Sequence, residues 1–572
     1  MGVKAADFET TTNPEDCRVW AWCICDIVDY DLKFTGNSIQ SFMDFIQDGC
    51  HTYYFHNLKF DGQFIIDYLL RNDYKWTDSR KMGQKQFKTL ISDMGTWYSI
   101  QIRFPDSNGG MERSVKIFDS LKILPMPIRD MPKTFNIEEK KLEIDYVEER
   151  EVGHELTEQE RAYVEHDTII LAKALNFMKS NGQNKMTTAS NALASFKGFY
   201  SMKQFKKDFP QLDEKTDADI RRSYKGGWTY LNPRYKNLDI GDGSVYDVNS
   251  MYPWAMKYCR LPYGEPVYFT GEYQPSAIYD LYVICIECEF KLKPGMYPSI
   301  QIKNNFRYLA TEYLEQSDGP TILCLTSVDY ELFLHNYDVE IIETYGGYMF
   351  MSKVGIFQEY IDYWYNVKDE SRSTGNKGME KISKLMLNSL YGKFGARLDG
   401  QSKIPYLDEE TNKVRFKLSE VEQRKGGYIP IATFITSYCR DKIIRTAEVC
   451  GDRFIYADTD SVHIVGLDPV PGMDVDSHRL GAFKLEETFK RGRFIRQKTY
   501  MEVYQTDAGE KINFKAAGMP QRIKDRLKED EFYEGASFEG KLVPRVVPGG
   551  VILRETTFQI KKAPGDDNLI SS

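Results

Sequence analysis

The chain places acidic residues at the ends of segments that otherwise have the pattern of buried strands. In RFIYADTDSVHIVG, residues 453–466, apolar and β-branched side chains recur at every second position on both sides of Asp458 and Asp460. This alternation predicts a β-hairpin with the two acids at its turn. Asp and Thr also favour ordinary turns by bonding their own backbone, so the hairpin alone leaves open a simple chain reversal.

A third acid, Asp247, ends another apolar run, in VYDVNSMYP. Burying a carboxylate costs free energy unless the group is paired or binds a metal ion. Three acids at strand ends in one region therefore predict a site for divalent cations, in the two-metal arrangement that serves phosphoryl transfer.

The segment KISKLMLNSLYGKFG lies between these acids and has a helical pattern. Lys384, Asn388 and Tyr391 recur at helical spacing and share one face. Taken alone, this is the pattern of an amphipathic helix whose lysine extends to solvent. Beside a carboxylate site, the same face can bind a nucleotide, with the lysine on its phosphates and the ring stacked on its base.

A second set of polar residues lies in ADFETTT, FHNLKFDGQFII and RAYVEHDTII. The spacing puts two acids on one face of an extended segment and a tyrosine and an acid on one face of a helix. Each residue alone could be a helix cap or a surface group. Together the four carboxylates and the phenol suit metal-assisted hydrolysis of a phosphodiester. The residues are Asp7, Glu9, Asn57, Asp61, Tyr163 and Asp167.

The 572-residue length predicts several domains rather than one core. No run approaches the roughly 20 apolar residues of a membrane helix, and the N-terminus lacks a signal peptide, so we expect a cytoplasmic protein without membrane contact. We expect the ten cysteines to be reduced, and Cys285 and Cys288 form a lone C-x-x-C in which zinc is not expected. The net charge of −9 argues mildly against a nucleic-acid partner, whereas basic, aromatic segments such as FKLEETFKRGRFIRQKTY favour one.

The pattern along the chain indicates several units. About the first 185 residues alternate strand-like and helical runs, which predicts an α/β layer with its own core and a boundary at the polar segment SNGQNKMTTASN. Residues 259–357 are rich in strand patterns, and two helical patterns follow in 358–393. VRFKLSEVEQRKGGYIP is predicted to form a protruding strand-turn-strand hairpin.

In combination, the motifs resemble those of family B DNA polymerases of the protein-primed, phage phi-twenty-nine type. The strings that carry the resemblance occur in the family's order: DFETTT, FHNLKFDG, YVEHD, YKGGW, DVNSMYP, KLMLNSLYGKF, YADTDS and KTY. The resemblance implies an α+β multidomain fold, with an RNase H-like, DnaQ-type 3′-5′ exonuclease domain followed by a right-hand polymerase domain. The implied parts are the exonuclease domain 1–185, palm 186–258 and 428–530, fingers 358–396, thumb and tail 531–572, a terminal-protein-contacting insertion 259–357 and a strand-displacement insertion 397–427.

For the polymerase site, the resemblance implies that Asp247, Asp460 and the carbonyl of Val248 hold metal ions while Asp458 supports the primer end. Tyr252 would exclude a ribose 2′-hydroxyl. The remaining implied ligands are Lys368 and Lys384 for the triphosphate, Asn388 and Tyr391 for the nascent base pair, Lys498 and Tyr500 for the primer, and Tyr224 and Gly227 for DNA passing between the two sites.

For proofreading, the resemblance implies that Asp7, Glu9, Asp61 and Asp167 are the exonuclease acids. Tyr163 would orient the attacking water, with Lys141 as an auxiliary lysine. Glu143 falls where a relative has a metal-associated aspartate. The residues implied to hold the frayed single strand are Thr10, Asn57, Phe60, Ser120 and Leu121.

The resemblance further implies two Mg²⁺ ions per active site, with Mn²⁺ as a substitute. The implied partners are a DNA primer-template, a displaced strand, deoxynucleoside triphosphates and a terminal protein. The protein would be a monomer that replicates a linear viral genome processively in the cytoplasm of a bacterial host. Two alternatives remain open: a nuclease whose polymerase-like half only binds DNA, and a non-catalytic replication scaffold.

Overall fold

The computed structural model describes residues 2–106, 112–142, 144, 150–301 and 313–561. None of the helices in these ranges has the length and apolar content needed to span a bilayer. The mixture of separate sheets and helices confirms the expected α+β multidomain fold.

The N-terminal region is a mixed sheet covered by helices. Its elements are β1 (Val3–Thr10), β2 (Val19–Asp26), β3 (Lys33–Gly36), α1 (Ile39–Gln47), β4 (Thr52–Phe55), α2 (Leu58–Arg71), β5 (Lys75–Trp76), β6 (Gln86–Ile91), β7 (Trp97–Arg103), β8 (Ser114–Asp119), α3 (Met131–Phe135) and α4 (Glu158–Ser180). The strand order is β3-β2-β1-β4-β8-β7-β6-β5, with β1 parallel to β4 and β4 parallel to β8. A capping box between Thr157 and Glu160 begins α4, which packs across β1 and β2.

A short helical segment leads into the first part of the polymerase half. Its elements are α5 (Thr188–Gly198), α6 (Met202–Asp208), α7 (Glu214–Arg221), β9 (Thr229–Leu231), β10 (Asp239–Ile240), β11 (Gly243–Val248) and α8 (Met251–Tyr258).

The strand-rich stretch that follows forms a separate antiparallel sheet, as its pattern predicts. Its elements are β12 (Leu261–Phe269), β13 (Leu281–Leu292), β14 (Thr321–Thr326), α9 (Ser327–Asn336) and β15 (Tyr337–Lys353), in the order β12-β15-β13-β14. The expectation that all cysteines are reduced is wrong for one pair, since Cys285 and Cys324 form a disulfide. The two residues are directly opposed on β13 and β14, so strand pairing brings them together. Cys288 stays a buried free thiol.

The next segment contains three helices and two small ribbons. They are α10 (Gln358–Ser373), α11 (Lys377–Ser389), α12 (Tyr391–Phe394), β16 (Asp399–Gly400), β17 (Lys403–Asp408), β18 (Lys413–Leu418) and β19 (Glu422–Gln423). The hairpin predicted within VRFKLSEVEQRKGGYIP does not form, so that prediction is wrong. VRFKL, in β18, pairs with the preceding β17 across the turn at residues 409–412, and β19 pairs with β16.

The last part completes the central sheet and ends in a long hairpin. Its elements are α13 (Ile429–Cys450), β20 (Phe454–Asp458), β21 (Ser461–Val465), β22 (Phe483–Phe489), β23 (Arg491–Arg496), β24 (Thr499–Thr506), β25 (Gly509–Ala516), α14 (Gln521–Lys524), β26 (Ser537–Val547) and β27 (Gly550–Gln559). The central sheet has the order β22-β11-β21-β20-β9, a second sheet has the order β10-β23-β24-β25, and β26 pairs with β27.

The expectation that the N-terminal layer has a core of its own is wrong for one face of its sheet. One face packs into a local core that includes Phe42 and Ile65. The opposite face and α4 belong to a core that continues through α5, α11 and α13, joining Leu171 to Phe196, Met386 and Ile435. The chain thus has a connecting segment near residue 185, as predicted, but the apolar core includes residues from both sides of it.

Candidate active sites

The predicted acidic hairpin is confirmed as β20 and β21 joined by a two-residue turn. Thr459 has a φ of +66° at that turn, and Asp458 pairs with Ser461 across it. Asp247 on β11 is the partner of Ser461 on the other side. The backbone N–H of Val248 donates to the carbonyl of Asp460 at 2.8 Å. Strand pairing therefore brings the three predicted acids to one end of adjacent strands.

The protein compensates the negative charges of Asp247 and Asp460 only in part, through Lys484 and Lys498. Burial, followed by the charge of Asp460, raises the pKa of Asp247 to about 7. Burial raises the pKa of Asp460 to about 6, with a further contribution from Asp458. Glu486, which sequence reasoning missed, raises both pKa values. Such a pair favours protons or cations as counter-charges.

Asp458 differs from the other two acids because it has a cationic partner. Its carboxylate lies 3.3 Å from the Nζ of Lys498 and accepts a hydrogen bond from the hydroxyl of Thr229 at 3.2 Å. The backbone N–H of Lys498 donates to the Tyr456 hydroxyl at 2.9 Å, while Tyr500 packs beside the Tyr456 ring. The KTY motif is therefore fixed against the acidic hairpin.

The residues predicted to bind a nucleotide lie on helices. Burial raises the pKa values of the phenols of Tyr252 and Tyr391, and both are close enough to Asp460 for its charge to raise these pKa values further. Tyr252, near the start of α8, stacks on Tyr391 with ring centroids 4.3 Å apart and planes 3° from parallel. Lys384 and Asn388 are exposed one turn apart on α11, whereas Tyr391 begins the next helix. The Nζ of Lys384 lies 2.8 Å from the carboxylate of Glu380, a partner that the sequence pattern did not indicate.

Lys368 on α10 is buried at 7 % exposure, and burial lowers the pKa of its ammonium to about 8. Its Nζ lies 3.8 Å from the centroid of the Tyr365 ring. A buried lysine with a lowered pKa gains from the approach of an anion, because the anion stabilises its charged form.

The YKGGW loop contacts the acidic hairpin directly. The backbone N–H of Thr459 donates to the carbonyl of Trp228 at 2.9 Å. A Cβ added at Gly227 would lie 2.8 Å from the Cγ2 of Thr459, so only glycine allows this approach. Tyr224, at the start of the loop, is partly buried and lies against Gly395.

A buried charged network holds the same loop from behind, and sequence reasoning missed it. Arg440 on α13 donates to the carbonyls of Lys225 and Gly226 at 2.9 and 2.8 Å. It also pairs with the buried Asp329 of α9 at 2.6 Å. The available signal was an arginine directly after the mainly uncharged run PIATFITSYC.

The second set of acids converges between β1, α2 and α4. Burial is the first cause of a raised pKa at all four acids: Asp7, Glu9, Asp61 and Asp167. The pKa of Asp7 is raised to about 7, with the charge of Asp167 as the second cause. The charge of Asp7 contributes to the raised pKa values of both Glu9 and Asp61. The structure thus groups the four predicted carboxylates.

Lys141 and Tyr163 complete this group. The ammonium of Lys141 donates to one carboxylate oxygen of Asp167, and its Nζ lies 3.5 Å from the Tyr163 hydroxyl oxygen. The other oxygen, Oδ1 of Asp167, is buried without a hydrogen-bond partner among the described residues. Glu143 lies outside the described residues.

The residues predicted to hold a single strand surround the ends of β1, β4 and β8. Asp119, which sequence reasoning missed, accepts hydrogen bonds from the backbone N–H groups of Asn57 and Leu121, both at 3.0 Å. Ser120 donates its hydroxyl to the Phe55 carbonyl at 2.9 Å. Thr10 ends β1, and Phe60 lies in the first turn of α2.

Both acid groups fit oxygen-preferring cations in donor chemistry and charge. The Oδ1 of Asp167 has no hydrogen-bond partner among the described residues, and the raised pKa of Asp247 shows that its ionised form is poorly stabilised. In the part of the chain that the structure describes, however, no three His, Cys, Asp or Glu side chains form a complete metal site. The acidic donors and the lack of a complete site are both compatible with Mg²⁺, because this ion is usually held by one or two carboxylates together with substrate phosphates.

Comparison with known proteins gives consistent matches. The chain matches the family described as DNA polymerase type B, organellar and viral, over residues 43–153 and 144–470. It is 41% identical to the DNA polymerase of Bacillus phage B103, over 97% of this chain and 99% of that protein. Identity to the DNA polymerase of Streptococcus phage Cp-1 is 34%, with 98% of each chain covered.

The fold is similar to that of a solved structure in the same group. Phi29 DNA polymerase, in a ternary complex with primer-template DNA and incoming nucleotides, has a TM-score of 0.92 and 40% sequence identity. The match covers 98% of this chain and 100% of that chain.

Proposed function

The chain is a DNA-directed DNA polymerase of the phi29 type, in the organellar and viral type B family, and we propose a specific role for each of its two acid groups. The group of Asp247, Asp458 and Asp460 would add nucleotides. The group of Asp7, Glu9, Asp61 and Asp167 would remove mispaired 3′ ends.

In the proposed synthesis, a primer 3′-hydroxyl, or a hydroxyl of a terminal protein, attacks the α-phosphate of a deoxynucleoside triphosphate. The new P–O bond forms as the bond to the β-phosphate oxygen breaks, and pyrophosphate leaves. Asp247, Asp460 and the carbonyl of Val248 would hold two Mg²⁺ ions, for which Mn²⁺ can substitute. Such ions lower the charge on the attacking and leaving oxygens.

The remaining residues would bind and position the substrates. Lys498, fixed by its pairing with Asp458, would hold the primer end together with Tyr500. The stacked rings of Tyr252 and Tyr391 would form a wall of the nucleotide site, with Tyr252 excluding a 2′-hydroxyl.

On α10 and α11, Lys368 and Lys384 would bind the triphosphate, and Asn388 would contact the nascent base pair. Glu380 must release Lys384 for that purpose, since the two are paired in the structure. Behind the primer, the YKGGW loop with Tyr224 and Gly227 would guide DNA between the two sites.

In the proposed proofreading reaction, water attacks the last phosphodiester of a frayed strand. Tyr163 and Lys141 would orient that water beside Asp167, whose unpartnered Oδ1 is available to a metal ion. Glu143 is proposed as a further metal-associated acid. Thr10, Asn57, Phe60, Ser120 and Leu121 would hold the strand, and Asp119 fixes two of them, Asn57 and Leu121, through their backbone N–H groups.

The observation that carries the polymerase proposal is the pair Asp247 and Asp460 at the end of the central sheet, whose raised pKa values favour a bound cation. Asp460→Asn should abolish labelled nucleotide incorporation on a primed template while leaving exonuclease activity unchanged. Asp7→Asn should have the reverse effect. Asp242→Asn, at the exposed opposite end of β11, is the matched control.

Either alternative would give a different result. A nuclease with a non-catalytic polymerase half would show no incorporation in the unaltered protein. A scaffold would show neither activity with Mg²⁺ present.

We also infer that the protein replicates a linear viral genome, processively and with strand displacement, as a monomer in a bacterial host cell. The relatives are phage proteins, which supports a viral origin. Incubation with the replicon's candidate terminal protein, Mg²⁺ and labelled deoxynucleotides should yield covalently labelled protein. Absence of label with an active polymerase would contradict protein priming.

A further inference from the structure

Helix α2 of the exonuclease region contacts two distant parts of the polymerase half. The contact is made by Asp67, Arg71, Asn412 and Gly549, which we call the α2 junction. Asn412 lies in the turn between β17 and β18, and Gly549 lies in the turn between β26 and β27. These turns are 341 and 482 positions from their partners on α2, so the junction joins three regions that the sequence keeps apart.

Asp67 and Arg71 are one helical turn apart and bridge the two turns. The guanidinium of Arg71 donates to the Asp67 carboxylate at 2.7 and 3.1 Å. The same guanidinium donates to the side-chain oxygen and the carbonyl of Asn412 at 2.8 and 3.0 Å. The N–H of Gly549 completes the junction by donating to Asp67 at 3.3 Å. Arg71 thus connects one turn to α2, and Asp67 connects the other.

The β26–β27 turn is fitted closely to the exonuclease surface. Gly549 has a φ of +90°, and a Cβ there would lie 2.3 Å from the carbonyl oxygen of Cys17. Beside the turn, Val547, Val551 and Ile552 are buried in the same apolar core as Phe64 of α2. Apolar packing therefore positions this tip, and the polar junction fixes its register.

The β17–β18 hairpin is docked along the same region. Val414 belongs to the exonuclease core, and the ring centroids of Trp97 and Phe416 lie 5.8 Å apart. The backbone N–H of Asp93 donates to the carbonyl of Gln401 at 3.2 Å. Strand β18 also packs against β26, so the two turns meet beside α2.

We propose that Asp67 and Arg71 are positioning residues that latch the two hairpins to the exonuclease region and thereby slow the release of DNA during synthesis. The proposal rests on the processive synthesis inferred above. Asp67 lies six residues after Asp61, which places it about 120° around the helix from that acid. Loss of these contacts should therefore shorten the time that the enzyme stays bound to DNA, without altering either acid group.

The test measures the length of DNA made in one binding event. Enzyme bound to primer-template is started with Mg²⁺ and nucleotides in the presence of excess unlabelled DNA, which captures any enzyme that dissociates. Arg71→Ala removes both bonds to Asn412 and leaves the Asp67 charge without its cation. We expect about tenfold faster dissociation and correspondingly shorter products, which is equivalent to about 1.4 kcal/mol.

Two further variants separate the latch from general stability. Asn412→Gly keeps the left-handed backbone, which has a φ of +54°, and the carbonyl acceptor, so it should give products of intermediate length. Arg445→Ala removes an equivalent pair, since Arg445 contacts Asp441 at the same spacing on α13 with the same distance of 2.7 Å. This control should leave product length unchanged.

The latch should not affect two further readouts. These are single-nucleotide incorporation from the preformed complex and degradation of single-stranded DNA. If the unaltered enzyme is processive but Arg71→Ala makes products as long as those of Arg445→Ala, the latch is refuted. The proposed processivity is not affected by that result. A parallel fall in single-nucleotide incorporation would show a folding defect and would also overturn the latch. An unaltered enzyme that dissociates after a few nucleotides would refute the proposed processivity itself.

Discussion

Asp247 and Asp460 should release protons when a divalent cation binds, because their pKa values are raised to about 7 and about 6. A carboxylate must be ionised to bind a metal ion. At about pH 6.5 the first group is about three-quarters protonated and the second about one-quarter, so binding should release about one proton; at about pH 8.5 it should release almost none. Only about one-fifth of molecules have both groups ionised at the lower pH, so the apparent affinity should be about fivefold weaker there.

Titration calorimetry with Mg²⁺ in two buffers of different ionisation enthalpy measures this release. The four exonuclease acids also have raised pKa values, so the measurement is made in a background of Asp7→Asn, Glu9→Gln, Asp61→Asn and Asp167→Asn. Adding Asp247→Asn should remove most of the release at the lower pH. A release that is near zero at about pH 6.5, or equal at both pH values, would refute the conclusion that burial raises the pKa values of this pair.

Three further results are expected. The charge of Lys141 lowers the pKa values of Asp7, Glu9 and Asp167. Lys141→Ala should therefore shift the acidic limb of the exonuclease pH–rate profile to higher pH. A shift to lower pH would contradict the contact between Lys141 and these acids. Gly227→Ala should push the Thr459 turn away and reduce nucleotide incorporation, while degradation of single-stranded DNA should continue at the unaltered rate. Alkylation of the unfolded, unreduced protein should modify eight thiols, and prior reduction should raise the number to ten; ten in both samples would exclude the disulfide.

The sequence predicted the parts of the site that depend on short-range periodicity. The two-residue period around Asp458 and Asp460 is visible within fourteen letters, and the structure has that hairpin. The helical spacing of Tyr163 and Asp167 was equally local, since both lie on α4. Such patterns are readable because side-chain direction follows directly from backbone geometry.

The missed features depend on which strands and helices become neighbours. Cys285 pairs with a cysteine 39 positions away, and a period-two pattern does not state which strand lies opposite. The wrong hairpin pairing at β18 has a different cause. The segment DEETN at residues 408–412 has the turn chemistry of Asp and Asn, which would have placed the turn before β18 rather than after it.

The apolar core that the exonuclease and polymerase halves share also limits how the protein can be truncated. A chain that lacked residues 1–185 would lose the side chains that α3 and α4 contribute to this core, such as Phe135 and Leu171, and would expose the part of α11 that packs against α3. Exposed apolar patches of this kind promote aggregation. Loss of proofreading is therefore expected to arise by substitution of single acids such as Asp7 rather than by deletion of the region, because deletion would cost solubility as well as fidelity.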